Sequence, residues 1–440
     1  MQVTLRIGID GYNLALPAGT GVASYGRALC RAVNALGGQI DLIYGVTLKS
    51  DTPDHLRETL FYSRLGEESA GEKHGATWRR RFLRAAMLPT VRRPMQVPVT
   101  GNVIAGTFAN QVPAATRLFS RSGLFDTSVR YFRRFRKPMR IELPDPPEIM
   151  HWTYPVPVEL VGARNIYTLH DIVPLIMPYA SREDKRYYKN LHRWLIDHAD
   201  GLCTVSRSSQ QDIMQMFDVP ASRVENLYQA ADLDSEAVMA SGGDLDVWLS
   251  RLFDLDLNGY FLFAGAIEPK KNVGRLIEAY LQSGVETPLL IVGREGWRAE
   301  SELRLLRGGH GVQLKGAARI RRIDYLPRAQ LLRLIRGARA MLFPSVYEGF
   351  GLPVLEAMAL GTPVLTSDVS SLPEITADAA LRIDPYNVDQ MAEAIRTLDA
   401  DSALRERMSG LGLAQAKLFS RPEFERRLSS FYRKILGSRG

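Results

Sequence analysis

The stretch that most restricts the fold is Phe343 to Pro363, F-P-S-V-Y-E-G-F-G-L-P-V-L-E-A-M-A-L-G-T-P. Ala340 to Phe343 is an apolar run of strand length, and Pro344 breaks it. A Gly-rich loop follows. Leu352 to Leu360 then reads as a helix, closed by Gly361 and Pro363 where a C-cap belongs. A strand that runs through a glycine loop into a helix N-terminus is an anion site. The N–H groups of Gly349, Phe350, Gly351 and Leu352 would point one way, with the positive end of the helix dipole behind them. Glu348 lies in the loop, and Glu356 lies eight residues later in the helix. A carboxylate repels bare phosphate but grips sugar hydroxyls. The plainer alternative is an ordinary βα unit with two solvated acids. So long a motif at fixed spacing favours the functional reading.

The same strand, loop and helix rhythm runs through the chain. Val3 to Asp10 reads as a first strand, and Gly19 and Gly21 precede a helical pattern at Val22, Tyr25, Leu29 and Val33. Ile40–Val46, Glu148–Trp152 and Asn165–Leu169 are further strands, and the last runs into H-D-I-V-P-L. His170 and Asp171 therefore sit at a strand's C-terminal edge, where open α/β sheets bind ligands. A plain structural His capping the strand is the alternative. A long helix from Glu183 to His198 follows, then a strand whose next helix is N-capped by Ser206 or Ser208. Val224–Tyr228 closes the first half, and Ala230–Asn258 reads as an interdomain region. The second half opens on a strand, Tyr260–Ala264, then Gly265, a basic turn and a helix from Val273. Lys270 and Lys271 stand near that helix's N-terminus, where the dipole disfavours cations unless an anion is bound. Pro288–Gly293 and Val312–Leu314 read as strands, and Arg319, Arg321, Arg322 and Asp324 as a basic loop. Pro422–Lys434 is an amphipathic terminal helix. The alternation predicts an α/β fold of doubly wound parallel sheets, and 440 residues exceed a single core.

The net charge of +8 suggests an anionic partner. Most of it comes from the Arg-dense stretch Lys73 to Arg140, in which Asp126 is the sole acid. Three readings are open: a solvated insertion, a surface for anionic lipid or a lipid-diphosphate acceptor, and nucleic-acid binding. No nucleic-acid module is recognisable, and the interleaved Phe and Tyr near Tyr131 favour the lipid surface. Two cysteines are too few for a disulfide framework. No stretch approaches the roughly 20 apolar residues of a membrane span, and no signal-peptide layout precedes the first strand. The expectation is a cytoplasmic protein, peripheral at most on the inner face of the membrane.

The motif E-G-F-G-L-P-V-L-E-A-M-A-L-G-T-P-V resembles the donor-site signature of retaining glycosyltransferases of family four, which have the GT-B fold. The resemblance implies two Rossmann-like domains facing a cleft. These would be an acceptor-side domain over 1–232 carrying a basic insertion at about 73–140, and a nucleotide-sugar domain over 258–420. A terminal helix over 421–440 would cross back. It implies that Glu348 lies near the transferred sugar, that Glu356 bonds the ribose, and that His170 is an active-site histidine. Lys271, with Lys270, would hold the donor diphosphate, alongside Gly265 and the backbone of Gly349 to Leu352. The Gly19 to Gly21 loop would face donor and acceptor. Ala266 departs from the family's usual Arg, and Lys270 is the candidate substitute. The basic loop around Arg321 is a candidate for the nucleotide base. No Asp-x-Asp with a metal context stands out, so no metal or other cofactor is expected, and the nucleotide sugar is a co-substrate. The acceptor would be a glycan or a lipid-diphosphate-linked sugar. The turns E-P-K-K-N and H-D-I-V-P-L resemble mannosyltransferases most, which points to GDP-mannose. Two other readings are a nucleotide-sugar 2-epimerase on the same fold and a non-enzymatic basic scaffold at the membrane.

Overall fold

The computed structural model describes residues 5–16, 21–49, 51–69, 92–101, 103, 106–231, 233, 242–306 and 316–437. Gly19, residues 73–91 of the basic stretch and the strand expected at Val312–Leu314 lie outside these residues.

The strands in chain order are β1 (Arg6–Asp10), β2 (Gln39–Tyr44), β3 (Met95–Val97), β4 (Arg117–Ser120), β5 (Met139–Ile141), β6 (Ile149–Trp152), β7 (Val158–Leu160), β8 (Arg164–Leu169), β9 (Gly201–Thr204) and β10 (Val224–Asn226). They continue with β11 (Phe261–Ala264), β12 (Leu289–Val292), β13 (Ile320–Ile323), β14 (Ala340–Phe343), β15 (Val364–Ser367) and β16 (Ala380–Ile383). Eight of them form one sheet in the order β10-β9-β8-β6-β1-β2-β4-β3, and six form another in the order β13-β12-β11-β14-β15-β16. β5 and β7 pair separately. Every ladder is parallel except β3 with β4 at an edge. We call the part built on the first sheet the first lobe and the part built on the second sheet the second lobe.

Parallel strands covered by helices on both faces must be apolar throughout. β14, A-M-L-F, is buried at all four positions, and so is β11, F-L-F-A. Each large side chain so buried contributes about 1.5–3 kcal/mol, so an acid at Met341 would break the second lobe's centre. In each sheet the chain order reverses at one place, between β1 and β6 and between β11 and β14. At such a point the connections leave to opposite faces and open a crevice beyond the strand ends. The sequence motifs sit there: Asp10 ends β1, Gly265 follows β11, and the Glu348 loop follows β14.

Two segments differ from the sequence reading. Arg319 and Arg321 lie on a short 3-10 turn and on edge strand β13, not in a loop. Ile320 and Ile323 are half-buried and pack against the core, and Arg321 and Arg322 between them are exposed. Arg321 donates to the Phe253 and Asp254 carbonyls, and Arg319 to Glu286 at 3.1 Å. The stretch read as a basic insertion is, from residue 92 onward, built into the first lobe. β4 pairs with β2 because Leu118 and Phe119 belong in the core, and Arg117 meets buried Asp41 in an ion pair of 2.5 Å. Within the region read as interdomain, Gly242–Phe253 is a helix.

The last helix, Arg421–Gly437, leaves the second lobe and packs on helix Gly21–Ala35 of the first. Phe424, Leu428, Phe431 and Tyr432 are buried there, and Tyr432 Oη lies 2.8 Å from His151 Nδ1. No helix among the described residues is long and apolar enough to cross a membrane.

Candidate active site

In the second lobe the chain leaves β14 at Phe343, turns at Pro344 and reaches Glu348 before helix Leu352–Ala359 begins. Gly351 is the N-cap, at φ 95°, a left-handed conformation that a side chain would strain. It offers no capping side chain, so the helix's first N–H groups stay open. Those of Gly349, Phe350, Gly351 and Leu352 have no acceptor among the described residues, although all four residues are buried. Buried amides normally find partners, so four together form a cradle for an anion. The Phe350 ring takes no part in it. It is buried edge-on to Phe419, with centroids 5.9 Å apart.

Lys271 Nζ meets Glu348 Oε1 at 2.5 Å, with both side chains nearly buried, and the same ammonium lies over the Phe343 ring at 4.9 Å. Burial pushes the Glu348 carboxyl up, but Lys271 and Lys270 outweigh it and hold it below the usual carboxylate range. Lys270 is pushed up to about 12: burial works against its charge, and Asp171, Glu348 and Glu268 prevail. Lys270 therefore stays charged through neutral pH. Glu268 lies 3.5 Å from Lys270 Nζ. Glu356, on the buried side of its helix, is held by Arg328 Nη2 at 2.7 Å. Arg328 had no signal in the sequence, because it is a surface-type residue 28 positions from the acid it orients.

The first lobe brings His170 and Asp171 at the end of β8. His170 Nε2 lies 2.8 Å from the Thr153 carbonyl. A carbonyl only accepts, so Nε2 carries the proton and Nδ1 keeps its lone pair. Burial lowers the His170 pKa against the Thr153 bond and the Asp171 charge, which keeps the ring neutral at pH 7. Tyr25 meets the ring edge-on at 5.0 Å. Gly21 starts helix Gly21–Ala35 and is exposed, with open space where a Cβ would stand.

The lobes touch at the donor-type loop. A Cβ on Gly349 would lie 2.8 Å from the His170 carbonyl oxygen and 3.0 Å from Asp171 Oδ2, so only glycine allows this approach. The Gly349 carbonyl accepts from Ser206 Oγ at 2.6 Å and from Ser209 Oγ at 3.1 Å. Ser206 is also the N-cap of helix Arg207–Phe217. Glu374 of the second lobe accepts from the N–H groups of Arg207 and Ser208, at 2.9 and 3.1 Å. The Tyr347 hydroxyl donates to Asp212. The sequence marked Ser206 only as a helix N-cap and gave no sign of these contacts across the lobes, since each partner lies more than a hundred residues away. Beside the contact lies a cavity of about 330 Å³ walled by Tyr154, His170, Asp171 and Arg182 of the first lobe and Glu268, Lys270 and Trp297 of the second. The arrangement joins an anion cradle, two lysines, an ionised acid and a neutral His across one cleft. It can hold a diphosphate and present a sugar to a hydroxyl.

Residues 256–412 match the family described as "Glycosyl transferases group 1", and residues 99–235 match "Glycosyltransferase Family 4". The chain is 37% identical over 263 residues to O-antigen chain mannosyltransferase B of Escherichia coli, a match covering 58% of this chain and 67% of that protein. It is 27% identical over 273 residues to the serotype-specific mannosyltransferase WbdA of Escherichia coli, covering 61% of this chain but only 33% of that longer protein. Sucrose-phosphate synthase from Thermosynechococcus elongatus superposes with a TM-score of 0.63 at 18% identity, over 99% of this chain and 100% of that one. That likeness shows the GT-B fold.

Proposed function

We propose, because this chain belongs to glycosyltransferase family 4, that it moves a hexose from a nucleotide sugar to a glycan or lipid-linked acceptor in surface-polysaccharide synthesis. GDP-mannose is the favoured donor, since the two relatives named above are both mannosyltransferases. The observation that carries the reading is the open cradle of Gly349 to Leu352 beside the Lys271–Glu348 pair at the second sheet's switch point.

The barrier lies in breaking the anomeric C–O bond while charge grows on the departing diphosphate. Preorganised N–H groups and ammonium groups aimed at that charge stabilise it without reorganisation. Here they are the four loop amides with Lys271 and Lys270, and these cations would act where a metal ion otherwise could. Glu356, fixed by Arg328, suits the ribose hydroxyls. Glu348, ionised and pinned, suits a hydroxyl of the transferred sugar. His170 offers Nδ1 as an acceptor to another. The reaction would retain anomeric configuration, with the acceptor hydroxyl attacking from the face that the diphosphate leaves.

The acceptor side would rest on an anionic membrane. Helix Leu124–Phe135 buries Leu124, Phe125, Ser128 and Phe132 and exposes Arg130, Arg133, Arg134 and Phe135, followed by exposed Arg136 and Lys137. An apolar ring among cations suits the interface of anionic lipid, and each cation contributes roughly 1 kcal/mol. Reversing Arg130, Arg134 and Arg136 to Glu should lower binding to anionic vesicles by about a hundredfold or more. Unchanged co-sedimentation would remove the membrane from the account.

The donor assignment is tested by thermal shift against GDP-, UDP- and dTDP-sugars. A donor at 100 times its Kd stabilises by about 2.7 kcal/mol. GDP-mannose should raise Tm in the wild type, and by less at the same concentration in Lys271→Met. A larger shift with a uridine or thymidine donor would replace GDP-mannose. No shift with any of them would count against a nucleotide-sugar enzyme.

A further inference from the structure

We propose that Asp10 is the positioning residue of the first lobe, tying the start of the glycine loop to the turn whose carbonyl holds His170. Asp10 ends β1 and is fully buried. One carboxylate oxygen accepts from the Tyr12 N–H at 3.2 Å, where the chain enters the segment leading to Gly21. The other accepts a short hydrogen bond from the Thr153 N–H, just past β6. The Thr153 carbonyl is the acceptor that fixes His170 Nε2 at 2.8 Å. β1 and β6 flank the reversal point of the first sheet, so this one side chain spans the crevice floor.

A carboxylate is needed there because two N–H groups converge on it. Asn has one acceptor and would turn an NH2 group toward a donor. No cation pairs with Asp10 among the described residues, so its charge rests on hydrogen bonds, chiefly those from Thr153 and the Tyr12 N–H. That is a costly way to fill a core position, and it suits a group retained for the geometry it imposes. Protonation would put a hydroxyl against the Thr153 N–H and loosen the carbonyl behind it.

Asp10 is the acid here raised toward neutrality, while His170 is lowered from its ordinary value. Burial pushes it up to about 6, against the bonds from Thr153 and Tyr12. Facing it are Tyr12 on its own turn, Cys30 of helix Gly21–Ala35 and Tyr44 of β2. Cys30 is pushed up to about 12, and both tyrosines are raised, so all three stay neutral. Arg27 faces Cys30 and bonds Ser24. Around His170 stand Tyr25, Tyr154 and Asp171, with His151 lowered to about 3 behind them.

The inference rests on the proposed function only for His170 facing substrate, and its test needs no substrate. Imidazole nitrogen spectra of the full chain labelled with [15N]His are recorded from pH 5 to 8, with His170 assigned by its loss in His170→Gln. The wild type should show His170 as the Nε2–H tautomer, with its signals shifting as pH falls through about 6. Asp10→Asn should abolish that inflection and mix the tautomers. If Asp10→Asn fails to fold, the wild-type Asp10 carboxyl carbon is titrated beside the His170 ring, and the two curves should share a midpoint. An Asp10→Asn protein with the wild-type tautomer and pH response, or independent curves in the wild type, would overturn the proposal. A purely structural Asp10 would lower Tm and leave the His170 spectrum alone.

Discussion

Replacing Lys271 by Met separates what the ion pair does for the fold from what it does for the reaction. Met keeps the length of the stem and its contact with the Phe343 ring but removes the charge 2.5 Å from Glu348. Glu348 is then a buried carboxylate with Lys270 as its main remaining counter to burial, and its pKa rises. Breaking a buried pair from one side costs about 3–5 kcal/mol, and Lys270's remaining charge puts this case near the lower end. In the wild type the folded pKa of Glu348 is depressed, so the pair's contribution is present above the ordinary carboxylate range. It fades as pH falls through the folded value. Lys271→Met should therefore lose most of its stability deficit at low pH, where Glu348 protonates in both proteins. Adding Glu348→Gln should restore most of the melting temperature, because it leaves no unpaired charge. Catalysis should not return. Loss of one preorganised donor to a departing oxyanion costs about 10²–10³ in kcat, and the double variant lacks it too. The assays are thermal unfolding against pH and nucleotide release from the donor. A Lys271→Met enzyme within threefold of the wild-type kcat would refute the reasoning, as would a double variant that regains it.

Arg328→Ala should raise the donor KM by about tenfold or more, as expected when the charged partner of a buried acid is lost, and leave kcat within a few-fold; steady-state kinetics decide it. Glu374→Ala removes the acceptor for two N–H groups across the lobes and should cost about 1 kcal/mol, as a lost helix cap does. Small-angle scattering should then report a wider average separation of the lobes. Asp10, raised from 3.8 to about 6, binds its proton more tightly when folded, so its favourable contribution is complete below pH 3.8 and is lost as pH rises through 6. The loss amounts to about 3 kcal/mol. The stability of wild type relative to Asp10→Asn should fall between pH 4 and 7, followed by denaturant melts across that range.

The parts of the site that lie on one βα unit were legible in the sequence, because a strand's end and a helix's start lie a few residues apart. Ala340–Phe343, the Glu348 loop and helix Leu352–Ala359 follow from apolar runs, Pro344 and Gly361. The doubly wound order follows from alternation, and it puts Glu348 and Asp10 at the reversal points. What stayed hidden depends on how distant segments meet. Ser206 and Ser209 read as a helix start, and nothing local says that their hydroxyls hold the Gly349 carbonyl from the other lobe. Arg328 reads as a solvated helix residue until Glu356 is seen beneath it. Arg321 was misread because this edge strand is four residues long, with two exposed arginines between half-buried isoleucines, and so has neither an apolar run nor a period-two pattern to mark it. The stretch before Arg140 looked like an insertion for a related reason. Its arginines dominate the composition, while the short run Arg117–Ser120 seats β4 in the sheet.

The central claim is that a nucleotide diphosphate docks where the second lobe's glycine turn enters its helix. A crystal structure with GDP-mannose or GDP bound measures this directly. The account predicts phosphate oxygens within hydrogen-bond distance of the amides of Gly349 to Leu352 and of Lys271 Nζ, with the ribose on Glu356. Clear density for the nucleotide elsewhere, with those amides still open and Lys271 still closed on Glu348, would contradict it.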